Sequence, residues 1–199
     1  LFDFDEFQAR DSVTRDQLYS FAETVCNKDI QLNLGGGSLY VEACCTFSNN
    51  TQELPINLVF ILESIKDESY KWAVAGANGL VDCNLIDTVS DGYLNPTQHE
   101  IHFSELPQAC LNLSRYIQKN KVVDQLSFLL GMLHNRQMKY VVCNNVRYHF
   151  VQVPGYIFVV DEVNRLGNNS GYLINTLIKT KDIDKLKYID QLLGTNGGY

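Results

Sequence analysis

The stretch from residue 138 to residue 163, MKYVVCNNVRYHFVQVPGYIFVVDEV, decides the fold that this sequence predicts. Two runs rich in β-branched and aromatic residues, which favour strands, flank Pro154 and Gly155. The fixed backbone of a proline followed by the permissive backbone of a glycine suits a tight turn. The pattern therefore predicts a long antiparallel hairpin.

The two faces of this hairpin are predicted to differ in polarity. If Pro154 and Gly155 form the centre of the loop, Arg147 lies opposite Glu162, and His149 points to the same side. A one-residue bulge would change these partners. The other face is expected to meet the two central helices through four apolar side chains, those of Tyr148, Phe150, Ile157 and Val159. The polar row is then either a functional site or the solvated side of the sheet.

Three segments upstream of the hairpin also have strand character. Residues 39–47 read LYVEACCTF, which is rich in aromatic, valine and cysteine side chains. Residues 55–64 and 70–77 are separated by the polar turn IKDE, as in an antiparallel hairpin. Three consecutive strands imply a meander.

Apolar residues recur at helical spacing in the other parts of the chain. Residues 14–27 predict an amphipathic helix that begins with a capping-box spacing. The segments 104–117 and 122–133 predict two helices separated by only a few polar residues, which makes an αα-hairpin. Residues 170–194 are predicted to be helical, with a strand as the alternative for YLINTLI, residues 172–178.

These elements predict one α+β domain over residues 1–199. Its curved antiparallel sheet, a meander plus a long hairpin, packs against the αα-hairpin and the terminal helices. A chain of 199 residues with 45% hydrophobic composition can bury one sizeable core. The element order is similar to the NTF2-like cone, a fold analogy without functional weight. Here, however, three strands precede the central helix pair.

Charge and hydropathy exclude two classes of partner. Acidic residues outnumber basic ones 23 to 16, so the net charge of −7 repels nucleic acid. The longest apolar runs, such as INLVFIL, are far shorter than the roughly 18 to 20 residues of a membrane span. Because the first residue is Leu1 rather than Met, both a cytoplasmic and an exported location remain open.

The cysteines and histidines do not follow the spacing of metal sites. The six cysteines contain no C-x-x-C pair, and most lie among Ala, Leu and Val, which favours buried thiols over a disulfide framework. The sequence HEIH, residues 99–102, lacks the H-E-x-x-H spacing that places two histidines on one helix face. No metal or cofactor is therefore expected.

Four residues are predicted to bind a ligand: Trp72, Arg147, His149 and Glu162. His149 beside Glu162 has the composition of a general base with an orienting carboxylate, and Arg147 suits an anionic group. Trp72 precedes small residues that let a ligand or another backbone approach closely. Cross-strand ion pairing and core packing explain the same residues without a function. No residue is predicted to be catalytic.

Two functions are compatible with this pattern. The first is a non-catalytic domain that binds an unknown small molecule or protein through a sheet face or the loop 78–102. Since no Walker loop, G-x-G-x-x-G or G-x-S-x-G motif occurs, the usual signals of nucleotide and hydrolase chemistry are missing. The alternative is an NTF2-like lyase, isomerase or hydrolase with His149 as base. The sequence does not indicate an oligomeric state.

Three segments, YKWAVAGANG (70–79), NPTQHEIHFSEL (95–106) and YHFVQVPGYIFVVDEVNRLGNNSGYLI (148–174), resemble an uncharacterised protein family of gut Bacteroidetes. The resemblance covers most of residues 55–178. It implies a source in which such chains are often exported or encoded beside envelope proteins. It implies no activity, and it provides no catalytic residue to transfer.

Overall fold

The structure, a computed structural model, describes eight parts of the chain: residues 1–10, 15–27, 30–32, 39–65, 69–83, 85, 124–166 and 169–195. Six strands lie within these ranges: β1 (Leu39–Ser48), β2 (Glu53–Ser64), β3 (Tyr70–Asn78), β4 (Lys139–Phe150), β5 (Tyr156–Val163) and β6 (Gly171–Lys179). The helices there are α1 (Phe4–Arg10), α2 (Arg15–Asn27), α3 (Gln125–His134) and α4 (Asp182–Leu192). None of these helices has the length and apolar character that crossing a membrane requires.

The six strands form one curved antiparallel sheet in the order β3-β2-β1-β4-β5-β6. The predicted α+β class, with a meander joined to a long hairpin, is therefore confirmed. Of the two alternatives for residues 172–178, the strand is correct, because these residues form β6 on the edge of the sheet. The C-terminal helix begins only at Asp182.

Two of the predicted helices can be compared directly with the structure. Helix α2 matches the amphipathic segment 14–27 and buries Leu18 and Phe21. Helix α3 matches the second helix of the predicted αα-hairpin, and the Asp124 carboxylate caps it by accepting a hydrogen bond from the Leu126 N–H. The first helix of that pair, residues 104–117, and most of the loop 78–102 lie outside the described residues.

One face of the sheet carries two apolar clusters. Where the β5 and β6 strands meet α1 and α2, the cluster consists of Phe7, Leu18, Phe21, Val153, Tyr156, Phe158 and Leu177. Further along the sheet, α3 contributes Leu129 to a cluster whose strand residues include Phe47 and Ile56 of β1 and β2. The alternation of side chains along β1 and β4 places both clusters on the same face.

Helix α4 covers the opposite face. Its Leu192 packs with residues from four other parts of the sheet and its loops: Tyr40, Val59, Val151 and Ile157. The backbone of Leu193 passes so close to β3 that a Cβ atom added to Gly76 would lie 2.5 Å from the Leu193 carbonyl oxygen. Of the two close neighbours expected at the glycines after Trp72, a ligand or another backbone, the structure shows a backbone.

The predicted packing of the β4–β5 hairpin is wrong. Phe150 stacks on Phe158, with ring centroids 4.6 Å apart, next to the cluster of α1 and α2. Ile157 lies on the other face, in the cluster under α4. The described central helix, α3, instead packs beside β3. Strand alternation sends Phe150 and Ile157 to different faces, so one helix layer cannot cover both.

The predicted register of this hairpin is also wrong, by one residue. The turn itself is as expected, since the Tyr156 N–H donates to the Val153 carbonyl and Gly155 has φ of 77°. Phe150, however, pairs with Phe158 rather than with Val159. The arm of β4 therefore contains one extra residue between the last strand pair and the turn.

Lys185 of α4 accounts for this asymmetric arm. Its ammonium group is buried and donates to the carbonyl oxygens of Val151 and Val153, at 2.9 and 2.6 Å. The Val153 carbonyl also accepts from the Tyr156 N–H of the turn, whereas Val151 lies beyond the last strand pair and depends on Lys185 for a donor. A residue more than 30 positions away thus stabilises the register.

We predict that Lys185→Met lowers the free energy of unfolding by about 1 to 3 kcal/mol, because the Val151 carbonyl loses its donor and the Val153 carbonyl loses one of two. Chemical denaturation measures this loss. The matched control is Lys187→Met on the same helix, where the ammonium group is exposed and contacts only Asp184 among the described residues. The control should match the wild type, and equal losses in the two variants would contradict the role of Lys185.

The cysteines only partly follow the expectation of buried thiols. All five cysteines within the described ranges are free thiols, and Cys110 lies outside those ranges. Cys45 is buried opposite Cys143 of β4, and burial raises the pKa of its thiol to about 12. Cys26 is exposed, so the expectation is wrong for this residue.

Candidate functional site

A row of polar side chains crosses the sheet on the face that α4 covers. We define this polar row by its residues: Glu42, Asn57, Asn145, Arg147, His149, Asp161 and Asn175. Three of its members are almost fully buried, with 7%, 5% and 7% of Glu42, His149 and Asp161 exposed. Buried charges are rare unless they are paired, so the partners of these three groups determine what the row can do.

The carboxylate of Glu42 lies at the centre of the polar row. Asn57 donates its amide N–H to one carboxylate oxygen at 2.7 Å. The other oxygen lies 3.3 Å from Nε2 of His149 and 3.5 Å from Nη1 of Arg147. Burial raises the pKa of Glu42, but these hydrogen bonds and positive charges outweigh it, so its pKa lies below the ordinary value of 4.5. Glu42 is therefore ionised at neutral pH.

His149 connects Glu42 to helix α4. Its second ring nitrogen, Nδ1, lies 2.7 Å from the hydroxyl oxygen of Tyr188. An ionised carboxylate only accepts, so a neutral His149 ring carries its proton on Nε2, and Tyr188 donates its hydroxyl proton to Nδ1. Burial, assisted by the charge of Glu42, raises the pKa of Tyr188 to about 12. The result is a hydrogen-bonded chain from Tyr188 through His149 to Glu42.

Asp161 forms the other end of the polar row. One of its oxygens accepts from Asn145 at 2.7 Å, and the other accepts from Nε of Arg147 at 3.3 Å and from Asn175 at 3.1 Å. Asn175 is the extra residue of the bulge between β5 and β6, and Asn145 lies beside a bulge between β1 and β4. The bulges redirect these side chains toward Asp161.

The one-residue register change corrects two predicted partners. Arg147 shares its face with Asp161 and not with Glu162, because the observed pairs place position 161 opposite position 147. The carboxylate beside His149 belongs to Glu42 of the neighbouring strand β1. Glu162 is exposed, and only its backbone N–H joins this network, through Asp161.

A cavity of about 510 Å³ opens above the polar row. Arg147, His149 and Asp161 contribute to its lining, and Tyr188 of α4 and Thr176 of β6 form part of its walls. The N-terminal segment closes another side, where Asp3 and Arg165 lie. Of the four predicted ligand residues, the structure brings three to this cavity, since Glu162 also lines it.

The wall formed by Asp3 is held in place by Arg165. Nη1 and Nη2 of Arg165 donate to the two oxygens of Asp3, at 2.6 and 2.9 Å, and Nη1 also reaches Asp5 at 3.0 Å. Burial raises the pKa of Asp3, but the hydrogen bonds and the charge of Arg165 lower it by more, so the pKa lies below its ordinary value. This bidentate pair fixes the N-terminal segment against β6, where Phe2 also forms a parallel bridge with Ile174.

Trp72 is not part of the cavity lining. It lies on the edge strand β3, and 49% of its surface is exposed. It is therefore neither the buried core tryptophan that the sequence also suggested nor a neighbour of His149. His99 and His102 lie outside the described residues. Within the described ranges, no group of three or more His, Cys, Asp or Glu side chains has the arrangement of a metal site.

The sequence prediction missed the groups that partner Arg147 and His149. A signal exists for some of them, because Glu42 is the one charge in the strand segment LYVEACCTF. Asn145 and Asn175 also lie inside strands, where asparagine is disfavoured. No local signal identifies Tyr188, because its position on a helix does not reveal which strand that helix covers.

We predict that Glu42→Gln destabilises the protein at neutral pH by about 1.5 to 3 kcal/mol, the range for hydrogen bonds to a charged group. The lowered pKa of Glu42 gives stability that is present above 4.5 and is lost as the pH falls through the folded-state value. The difference between variant and wild type should therefore shrink on acidification. Denaturation at neutral and acidic pH measures it.

The control for this prediction is Glu53→Gln, at the exposed start of β2. It should follow the wild type at every pH. A difference between Glu42→Gln and the wild type that stays constant, or grows, as the pH falls below 4.5 would contradict the ionised state assigned to Glu42.

Comparison with known proteins gives no relative from which a function can be transferred. No family model matches the chain, and neither a curated protein nor a solved structure matches it. The function must therefore be argued from the cavity and the polar row themselves.

Proposed function

We propose that this chain is a non-catalytic domain that binds a small polar molecule in the cavity above the polar row. The observation that carries the proposal is the cavity of about 510 Å³ with a buried polar floor. This volume lies within the roughly 300 to 1,000 Å³ of small-molecule sites. Protein partners generally use flatter surfaces, so the concave shape favours a small ligand over a protein.

The floor of the cavity is organised before any ligand arrives. Within the described ranges, every buried side-chain nitrogen and oxygen has a hydrogen-bond partner. His149 and Asp161, the buried residues of the polar row that line the cavity, each contact at least two other side chains, so their positions are fixed by the fold. A site that is ordered in advance loses less conformational entropy when it binds.

Arg147 is fixed in one orientation in the lining of the cavity. Its side chain is 44% exposed, whereas the carboxylates beside it, Glu42 and Asp161, are buried. These two carboxylates fix the guanidinium plane through Nε and Nη1. An arginine held in this way presents the rest of its planar edge in one orientation.

The catalytic alternative, an NTF2-like lyase, isomerase or hydrolase, has less support. A general base needs a lone pair within reach of the substrate proton. Both ring nitrogens of His149 are engaged by Glu42 and Tyr188. Glu162, the expected partner carboxylate, does not contact the imidazole, since the two hydrogen bonds of the ring go elsewhere.

A blocked cavity provides the test of this proposal. Thr176→Phe places a phenyl ring in the cavity on a strand position where aromatic residues are favoured. The matched control is Val74→Phe, an exposed position on β3 outside the cavity lining. We screen amines, sugars, amino acids, nucleosides and organic acids by thermal shift, since a ligand that binds the folded state raises Tm.

We expect at least one compound to stabilise the wild type and Val74→Phe but not Thr176→Phe. For a ligand at 100 times its Kd, the stabilisation is about 2.7 kcal/mol. A screen in which no compound raises Tm, or in which the hits stabilise Thr176→Phe equally, would refute binding in this cavity.

A further inference from the structure

We propose that the cavity selects a ligand with a protonated amine, and that it discriminates against carboxylates and phosphates. This inference rests on the proposed function and specifies the chemical class of its ligand. The observations that carry it are the acceptor oxygens of Tyr188 and Thr176, together with the way in which carboxylates neutralise the two lining arginines.

The hydroxyl of Tyr188, which lines the cavity, has one donor and two acceptor sites. In the neutral state of His149, its single proton is directed to Nδ1 at 2.7 Å, because the ionised Glu42 keeps the imidazole proton on Nε2. In that state, a ligand that meets Tyr188 must donate the hydrogen bond.

Thr176 has the same polarity. The Thr176 hydroxyl donates to the side-chain oxygen of Asn175 at 3.1 Å, so its oxygen also offers lone pairs. Asp161 already accepts from Asn145, Arg147, Asn175 and the Glu162 N–H, two donors on each oxygen, so it contributes negative charge rather than a free acceptor. Two elements, β6 and α4, thus present free acceptors to one cavity, and β5 adds the charge of Asp161.

The charges of the lining act in the same direction. Each guanidinium group is held by two carboxylates: Arg147 by Glu42 and Asp161, and Arg165 by Asp3 and Asp5. The lining also includes Glu6 and Glu162. The arginines are thus outnumbered by carboxylates, so the field in the cavity is negative, and it attracts cations and repels anions.

The lining also has an apolar part. Val159, Val163 and Ile178 contribute hydrophobic surface, which suits the carbon skeleton of an amine. A small organic cation with a short hydrocarbon body can thus bury its carbon atoms against the valines while its N–H groups reach Tyr188 and Thr176.

The test compares three probes with a common phenylethyl body: 2-phenylethylamine, 3-phenylpropionate and 2-phenylethanol. Each probe is titrated at constant ionic strength into the protein labelled at methyl groups. NMR shifts of Val159, Val163, Thr176 and Ile178 report entry into the cavity. We expect the amine to bind at least about tenfold more tightly than the carboxylate, because like charges oppose binding of the carboxylate.

The outcomes separate the ligand class from the proposed function. If the carboxylate binds as tightly as the amine or more tightly, or if only the alcohol binds, the amine proposal is overturned while the cavity remains a binding site. If no probe shifts any of these methyl groups at millimolar concentration, both proposals are overturned.

Two variants test the acceptor role of Tyr188 and the negative charge of the lining. Tyr188→Phe keeps the ring and removes the hydroxyl, so amine affinity should fall by about three- to tenfold. Tyr172→Phe, an exposed tyrosine of β6 outside the lining, is the matched control and should bind as the wild type does. Unchanged amine affinity in a folded Tyr188→Phe would overturn the acceptor role of this hydroxyl.

The second variant, Glu162→Gln, does not depend on the packing of α4. Glu162 is exposed at the cavity, so the substitution removes a negative charge with little risk to folding. Amine affinity should fall by about two- to fivefold at low salt, and carboxylate affinity should rise. Glu53→Gln is its control. A loss of amine affinity equal to that of the control would overturn the electrostatic part of the proposal.

Discussion

The burial of one carboxylate, that of Glu42, constrains this structure more than any other interaction. Glu42 lies on β1, which has neighbours on both sides in the sheet. A buried charge is tolerated only when it is paired and hydrogen-bonded. Asn57 of β2 and His149 of β4 supply those bonds from the two flanking strands. The positions of three strands therefore depend on a single ionised group.

The sheet could be predicted from sequence because its signals are local. Strand periodicity, the polar turn before Tyr70 and the dipeptide Pro154–Gly155 each act within a few residues. The hairpin register could not be predicted in this way, because Lys185 binds carbonyls more than 30 positions earlier. A rule based on turn residues alone does not include that contact. The resulting shift of one residue makes Asp161, and not Glu162, the partner of Arg147.

The candidate site was predictable only in part, for a related reason. Arg147 and His149 are unusual in a strongly apolar hairpin, so the sequence indicates them directly. Their partners depend on which strand lies beside β4, and Glu42 is 107 positions from His149. Trp72 was predicted to bind a ligand because it is the one tryptophan and precedes small residues, yet the composition does not reveal that its strand lies at the edge of the sheet. The partners of Arg147 and His149, and the exposure of Trp72, all depend on which strands pair, and β1 and β4, which pair, are far apart in the sequence.

The walls of the cavity have a consequence for the order in which the protein is made. Asp3 and Tyr188 line the same space, yet synthesis on the ribosome produces them at widely separated times. Until α4 leaves the ribosomal tunnel, its Tyr188 cannot cover His149. A sheet that forms before α4 docks leaves Glu42 and His149 in water, where the charge of Glu42 is well solvated. Docking of the last described helix converts this wet surface into a buried network, so the cavity is completed late in biogenesis.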